Sequence, residues 1–202
     1  MGAILITITG PIAAGKNTVA ELLADQVLGS GRTVVVADVD DVADMLRTPP
    51  GDSKGRLWFR AHQAHGALVG QWMRSDVDVV ISVGPVYTPE EQNALYGRLP
   101  AGANPLRVLI DAPLSATWQR VTAEVSRGMS RQRDFHESAH ARYRSLKAQI
   151  PADLIFDSGE LAAAEIARQI ISAAGLDHDH EHDRPSEPSS DSVRNRSSEA
   201  PQ

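Results

Sequence analysis

The chain has 202 residues, no cysteine and a formal net charge of −6 at pH 7. This length suits one medium domain with a sizeable core plus a tail, and the lack of cysteine excludes disulfides and thiolate metal sites. Residues 177–202 carry seven acids and three arginines, a net of −4, which leaves −2 for the rest of the chain. A body with so little charge gives no reason to expect nonspecific binding to nucleic acid.

No apolar run approaches the length of a membrane-spanning helix. The apolar N-terminus, residues 3–8, lacks the basic lead-in and the small-residue cleavage site of a signal peptide, so we interpret it as a strand. We therefore expect a cytoplasmic protein with no membrane partner, and the sequence leaves its oligomeric state open.

Short apolar runs alternate with helical patterns along the chain. Runs rich in aliphatic residues predict five strands, at residues 3–9, 33–37, 77–83, 106–111 and 154–156. Apolar residues at helical spacing predict helices at residues 19–27, 39–46, 57–73, 89–99, 113–126, 135–149 and 163–171.

This alternation is typical of a parallel sheet with helices on both faces. It predicts an α/β domain over residues 1–175. Residues 176–202 are mostly Asp, His, Ser, Pro and Arg, and they contain too few apolar side chains to form a core. We predict a disordered acidic tail there. The alternative is a tract in which His178, His180 and His182 bind Zn²⁺ or Ni²⁺ weakly.

The stretch 10-GPIAAGKNT-18 follows the first predicted strand and opens the first predicted helix. Gly10, Gly15 and Lys16 match the phosphate-binding pattern G-x-x-x-x-G-K-[ST]. Backbone N–H groups at a helix N-terminus point towards an anion, and the lysine adds a point charge. We therefore predict nucleotide phosphate contacts from Gly10, Ala13, Ala14, Gly15, Lys16, Asn17 and Thr18.

The residue after the lysine departs from this pattern, because Asn17 stands where a hydroxyl usually binds Mg²⁺. A side-chain amide oxygen is a hard ligand that suits Mg²⁺, although it reaches further than a hydroxyl. Asn17 could therefore bind the metal directly, bind it through water, or contact a phosphate through its NH₂ group. A loop that binds nucleotide but turns over poorly is a further alternative.

The stretch 5-LITITGPIAAGKNTVAELLA-24 resembles the P-loop small-molecule kinases, the group of shikimate kinase, gluconate kinase and adenylylsulfate kinase, which are related to the nucleoside monophosphate kinases. The resemblance implies a three-layer P-loop NTPase fold with a five-stranded parallel sheet in the order 2-3-1-4-5. It also implies Mg²⁺-dependent phosphoryl transfer from ATP to a small hydroxylated metabolite.

The second predicted strand ends in 38-DVD-40, which is similar to the Asp-x-Asp of shikimate kinase. The resemblance implies that Asp38 belongs to the metal site with Asn17, and that Asp40 binds the acceptor hydroxyl. Alternatively, Asp40 or Asp41 only caps a helix that starts at Val42. The third strand carries Ser82 where relatives often have an acid, so Asp38 becomes the main metal candidate.

The basic stretch 127-RGMSRQR-133 lies where these kinases carry a mobile lid. The resemblance implies that Arg127 and Arg131 offset charge on the transferring phosphoryl group, and that Arg120 meets the adenine or the phosphates. The alternative is a solvated basic loop. His62 and His65 would border the acceptor site or lie on the helix surface.

Three other functions remain as alternatives. The departures at Asn17 and Ser82 suit a nucleotide-binding regulatory protein with little or no kinase activity, and a nucleoside monophosphate kinase is another alternative. The stretch 136-HESAH-140 matches the zinc-protease pattern H-E-x-x-H. The arginines near this stretch favour a solvated helix over a buried metal site.

Overall fold

Five parallel strands form one sheet in the computed structural model, which describes residues 2–47, 54–123 and 128–177. The sheet order is β2-β3-β1-β4-β5, as the sequence predicted, and every neighbouring pair is parallel. The strands are β1 (Ile4–Thr9), β2 (Val34–Asp38), β3 (Val79–Val83), β4 (Leu106–Asp111) and β5 (Leu154–Asp157).

The helices follow the predicted succession, with shifted ends. They are α1 (Lys16–Gly29), α2 (Val39–Met45), α3 (Lys54–Trp72), α4 (Pro89–Tyr96), α5 (Leu114–Ala123), α6 (Arg133–Leu146) and α7 (Ala163–Ala173). Short 3₁₀ turns cover Gly128–Arg131 and Lys147–Gln149. The start of α4 is fixed by a capping box, in which Thr88 and Glu91 bond to each other's backbone N–H groups.

Neighbouring residues of β1 point into opposite halves of the core, because side chains alternate across a strand. Ile6 and Ile8 pack with residues of α1 and α7, including Leu23 and Ile170. On the other face, Leu5 packs against α3 and α4. Helices therefore cover both faces of the sheet, which makes the three-layer arrangement that the sequence predicted.

Strand β1 lies in the middle of the sheet, paired with β3 on one side and β4 on the other. From β1 the chain continues on one side of the sheet, through β2 and then β3. From β3 it crosses over β1 to β4 and β5 on the other side. This reversal of strand order opens a crevice at the carboxyl ends of the strands, where ligands bind in open α/β sheets. The predicted phosphate loop follows β1 and so lies at this crevice.

Among the described residues, no helix is both long enough and apolar enough to cross a membrane. Leu176, at the beginning of the predicted tail, is buried in the core beside α1 and α7. The rest of the predicted tail, from residue 178, lies outside the described residues.

Helix α3 contacts α4 through Gly66, and a Cβ atom there would lie 2.0 Å from the carbonyl oxygen of Ala94. We expect Gly66→Ala to lower the free energy of unfolding by about 1–3 kcal/mol, because backbone would have to move to admit a methyl group. Chemical denaturation measures this change. Gly29→Ala is the matched control, because a Cβ there meets nothing within 4 Å, and we expect a change below about 0.5 kcal/mol. Equal effects of the two substitutions would contradict this helix contact.

Candidate active site

Glycine occupies two positions of positive φ in the loop between β1 and α1. Gly10 has φ +150° and lies so close to β4 that an added Cβ would stand 2.0 Å from the Ile110 carbonyl oxygen. Gly15 has the left-handed φ of +93° at the N-cap of α1. The loop therefore curls directly into the N-terminus of α1, where N–H groups and the helix dipole attract anions.

Lys16 folds back over this loop. Its Nζ donates hydrogen bonds to the carbonyl oxygens of Gly10, at 3.2 Å, and Pro11, at 2.9 Å. The ammonium group thus stands at the loop. The predicted phosphate contacts of Lys16, Ala13, Ala14 and Thr18 are not tested and stay predictions.

Asn17 and Asp38 lie side by side, although they belong to α1 and the end of β2. Asn17 Nδ2 donates to Asp38 Oδ2 at 2.6 Å, and Asp38 Oδ1 accepts the Asp40 N–H at 2.9 Å. Asp38 is therefore the N-cap of α2, which starts at Val39. The alternative that Asp40 or Asp41 caps a helix from Val42 is wrong, because Asp38 takes that place.

The donor set at this position fits Mg²⁺, which prefers hard oxygen ligands such as carboxylate and amide oxygens. Asp38 supplies a carboxylate beside the first turn of α1, and Asn17 supplies an amide. Among the described residues, no group of three or more His, Cys, Asp or Glu side chains is placed to hold a metal ion. A magnesium site would therefore depend on Asp38, Asn17, water and phosphate oxygens.

Asp40 lies in the first turn of α2, in the same cleft as Lys16. Its side chain reaches solvent, yet the surrounding protein partly desolvates its carboxylate. This desolvation raises the pKa of Asp40 above its ordinary value, and the charge of Asp38 raises it further, whereas Lys16 lowers it. A carboxylate with a raised pKa is a better proton acceptor, which suits the predicted role towards a hydroxyl.

The end of β3 carries a neutral pair where relatives often have an acid. Ser82 Oγ lies 3.1 Å from His65 Nε2, and both residues are buried. Burial lowers the pKa of His65 to about 4, and the neighbouring His62 adds to this effect. His62 is also buried, and its two ring nitrogens lie 2.8 Å and 2.7 Å from the carbonyl oxygens of Trp58 and Pro85. Both histidines thus belong to the interior and not to the surface of α3.

Arg120 joins the phosphate loop to the turn after β5. Its guanidinium donates to the Ala13 carbonyl oxygen at 3.2 Å and to the Ser158 carbonyl oxygen at 2.6 Å. The Ser158 hydroxyl in turn donates to the Ala14 carbonyl oxygen at 2.8 Å. The predicted contact of Arg120 with adenine or phosphate stays a prediction, but its place beside the loop is observed.

The predicted lid is described only in part. Arg127 lies outside the described residues. Arg131 is exposed on the 3₁₀ turn that precedes α6. Arg133 pairs with Glu137 at 2.8 Å and lies 5.6 Å from the centre of the Trp118 ring. The catalytic roles of Arg127 and Arg131 stay predictions.

The two histidines of 136-HESAH-140 are buried, so the expectation of a solvated face at these positions is wrong. His136 Nε2 lies 2.9 Å from Thr117 Oγ1, and His140 Nε2 lies 3.0 Å from the Ala112 carbonyl oxygen. These nitrogens attach α6 to α5 and to the end of β4. The arginines near them are exposed on other faces of the same helix, so they do not indicate whether the histidines are exposed.

Asp111, the last residue of β4, is surrounded by donors. It pairs with Lys147 and with Arg144, at 3.3 Å for the latter, and it accepts the Ala112 N–H at 2.8 Å. Burial by itself would raise the pKa of Asp111, but Lys147 and the other donors outweigh it and lower the pKa. Asp111 therefore anchors the C-terminal end of α6.

Sequence reasoning missed three residues that contact the loop or support it. Tyr87 donates its hydroxyl to the Gly10 carbonyl oxygen at 2.6 Å. Glu91 accepts the Tyr87 N–H at 2.7 Å and pairs with Arg142 at 2.6 Å. The capping box at Thr88 was visible in the sequence as T-x-x-E, but nothing local connected Tyr87 with Gly10.

Comparison by sequence finds no matching family model and no matching curated protein. Comparison by structure finds similar solved proteins at low identity. The APS kinase of Mycobacterium tuberculosis, solved with AMPPNP and APS, is 18% identical with a TM-score of 0.62, over 85% of this chain and 96% of that one. The shikimate kinase of Acinetobacter baumannii, solved with shikimate, is 19% identical with a TM-score of 0.56, over 85% of this chain and 92% of that one.

The tunicamycin resistance protein of Deinococcus radiodurans is 20% identical with a TM-score of 0.59, over 86% of this chain and 96% of that one. These likenesses define the class of fold. The chain has the P-loop NTPase fold, as the sequence resemblance implied. Identities of this size show the fold and not the reaction.

His65 makes stability depend on pH. Its pKa is about 4 in the folded protein against an ordinary 6.5, so only the unfolded chain takes up its proton as the pH falls from 6.5 to 4. We expect the free energy of unfolding to fall over this range by about 3 kcal/mol more in the wild type than in His65→Gln. Denaturation at several pH values measures the difference, which should be constant above pH 7. Parallel curves for the two proteins would contradict a buried neutral His65.

Proposed function

We propose that this protein transfers a phosphoryl group from ATP to a hydroxyl group of a small metabolite, with Mg²⁺. The main support is that a cation, a candidate metal ligand and a candidate base share one cleft. Lys16 bonds to the loop after β1, and Asp38 ends β2 and contacts the first turn of α1. The charges of both residues influence the pKa of Asp40. Phosphoryl transfer requires this positioning and charge more than it requires covalent chemistry.

The loop and α1 would hold the nucleotide. N–H groups that follow Gly10 would surround the β- and γ-phosphates at the positive end of the α1 dipole. Lys16 would exchange its carbonyl partners for phosphate oxygens. Arg120 and Ser158 keep the loop attached to the turn after β5, so the loop would stay in place while the nucleotide enters.

Asp38 and Asn17 would hold the magnesium ion at the start of α1, either directly or through water. A magnesium ion bound there would neutralise negative charge on the phosphates of ATP. In the present structure the NH₂ group of Asn17 faces Asp38. The Asn17 amide therefore also keeps the Asp38 carboxylate beside the phosphate loop.

Asp40 would orient the acceptor. The acceptor oxygen would attack the γ-phosphorus, the bond to ADP would break, and Asp40 would take the hydroxyl proton. Arg131, together with Arg127, would close over the phosphoryl group from the lid side. The APS kinase and shikimate kinase structures carry APS and shikimate, and the acceptor of this chain belongs to the same broad class of small molecules.

A nucleotide-binding regulatory protein is the second candidate, and two observations favour it. The Asn17 amide is engaged with Asp38, and the acid expected on β3 is replaced by Ser82, which contacts a neutral histidine. Both features would slow phosphoryl transfer without weakening phosphate binding by the loop. Such a protein would bind ATP and release no phosphorylated product, so binding and turnover must be measured separately.

Lys16→Ala tests nucleotide binding. We expect the wild type to bind a fluorescent ATP analogue in the presence of Mg²⁺, and the variant to lose this binding, because the point charge on the phosphates is removed. Fluorescence titration measures both affinities, and thermal unfolding checks that the variant is folded. Equal affinities of two folded proteins would contradict the assignment of the loop.

Asp40→Asn tests turnover. We expect wild-type protein with labelled ATP, Mg²⁺ and a pool of small metabolites to form a labelled product, at a rate at least about a hundredfold above that of Asp40→Asn, because the variant lacks the base. ATP affinity should stay nearly constant. Asp41→Asn is the matched control, since Asp41 is the next, exposed residue of α2. ATP binding without any labelled product from the wild type would favour the regulatory protein instead.

A further inference from the structure

We propose that the Tyr87 hydroxyl positions the phosphate loop for nucleotide binding by keeping the Gly10 carbonyl oxygen bonded when Lys16 leaves it. Glu91 and Arg142 hold Tyr87 in the required place. This inference rests on the proposed nucleotide binding, and it adds three positioning residues that the loop motif does not contain.

Lys16 contacts the carbonyl oxygens of Gly10 and Pro11, and each of these oxygens has a second donor. The Pro11 oxygen also accepts the Ala14 N–H, at 3.3 Å. The Gly10 oxygen also accepts the Tyr87 hydroxyl, at 2.6 Å. A carbonyl oxygen has two lone pairs, so it accepts both donors at once.

When Lys16 moves to a phosphate, both carbonyl oxygens lose one donor and keep the other. Gly10 and Tyr87 are buried, so water does not readily replace a missing donor at the Gly10 oxygen. A buried carbonyl without any partner costs free energy. With the Tyr87 hydroxyl in place, the departure of Lys16 leaves no such oxygen behind.

Glu91 and Arg142 hold Tyr87 in place. Glu91 Oε2 accepts the backbone N–H groups of Tyr87, at 2.7 Å, and Thr88, at 3.0 Å. Glu91 Oε1 accepts a hydrogen bond from Arg142 at 2.6 Å, and the Arg142 guanidinium lies 5.2 Å from the centre of the Tyr87 ring. Arg142 therefore holds both the ring and the carboxylate that holds the Tyr87 backbone.

Tyr87 remains a donor over the whole working range of pH. Burial raises the pKa of its hydroxyl above the ordinary value, so the hydroxyl keeps its proton. Arg142 belongs to α6, the helix that follows the predicted lid. The set Tyr87–Glu91–Arg142 thus connects α6 with the first residue of the loop after β1.

Tyr87→Phe tests this exchange, because it removes one hydroxyl and keeps the ring. Without nucleotide, Lys16 still bonds to the Gly10 oxygen, so we expect the melting temperature to stay within about 2 °C of the wild type. The affinity for Mg-ATP should fall about tenfold, because moving Lys16 now leaves a buried carbonyl unpaired. Tyr96→Phe is the matched control, since the Tyr96 hydroxyl lies 3.4 Å from Thr7 Oγ1 and away from the loop. We expect it to keep wild-type affinity for ATP.

Arg142→Met provides the second test. We expect a severalfold loss of ATP affinity in the wild-type background and no further loss in the Tyr87→Phe background, because Arg142 acts through Tyr87. Isothermal titration measures all four proteins. Additive losses from the two substitutions would overturn the connection between these residues.

The remaining outcomes are also decisive. Unchanged ATP affinity in Tyr87→Phe would overturn the positioning role. A large loss of stability without nucleotide, including failure to fold, would also overturn it and indicate an ordinary structural hydrogen bond. If the wild type does not bind Mg-ATP, the proposed function and this inference both fail. If the wild type binds Mg-ATP and Tyr87→Phe binds it equally well, only this inference fails.

Discussion

The close approach of Gly10 to β4 is the constraint on which the rest of the cleft depends. A side chain at position 10 would collide with the Ile110 carbonyl oxygen, since a Cβ would lie 2.0 Å from it. Only glycine therefore lets the backbone leave β1 at this point and turn into α1. The turn places Lys16 over the loop and aims the N-terminus of α1 at the crevice where the strand order reverses.

The charges of the cleft come from the carboxyl ends of β1 and β2, which lie on either side of β3 in the sheet. The loop after β1 supplies the positive helix end and Lys16, and the end of β2 supplies Asp38 and Asp40. The end of β3 adds no charge, because Ser82 contacts a histidine that burial keeps neutral. The arrangement leaves the acidic side chains of the cleft at the end of β2 and the start of α2, where the Asn17 amide holds Asp38 against α1.

Hydrogen bonds from three directions hold the loop in place. Arg120 and Ser158 connect it with the turn after β5, while Tyr87 reaches its first residue from the segment after β3. A loop fixed on several sides is prepared for an anion before the anion arrives, which reduces the ordering that binding requires. Two solved structures of similar fold, at 18% and 19% identity, hold APS and shikimate, so one fold carries different small molecules.

The sequence by itself determined the strands, the sheet order through family resemblance, and the loop with Lys16, because periodicity and the glycine motif are written in neighbouring residues. It also indicated Asp38 and Asp40, because 38-DVD-40 follows a predicted strand and is similar to the Asp-x-Asp of shikimate kinase. The tertiary structure alone decided that His136 and His140 face the core, that Asp111 is paired with cations, and that Tyr87 reaches Gly10 across 77 positions. Contacts of this kind depend on how helices pack against the sheet, and no local pattern records that packing.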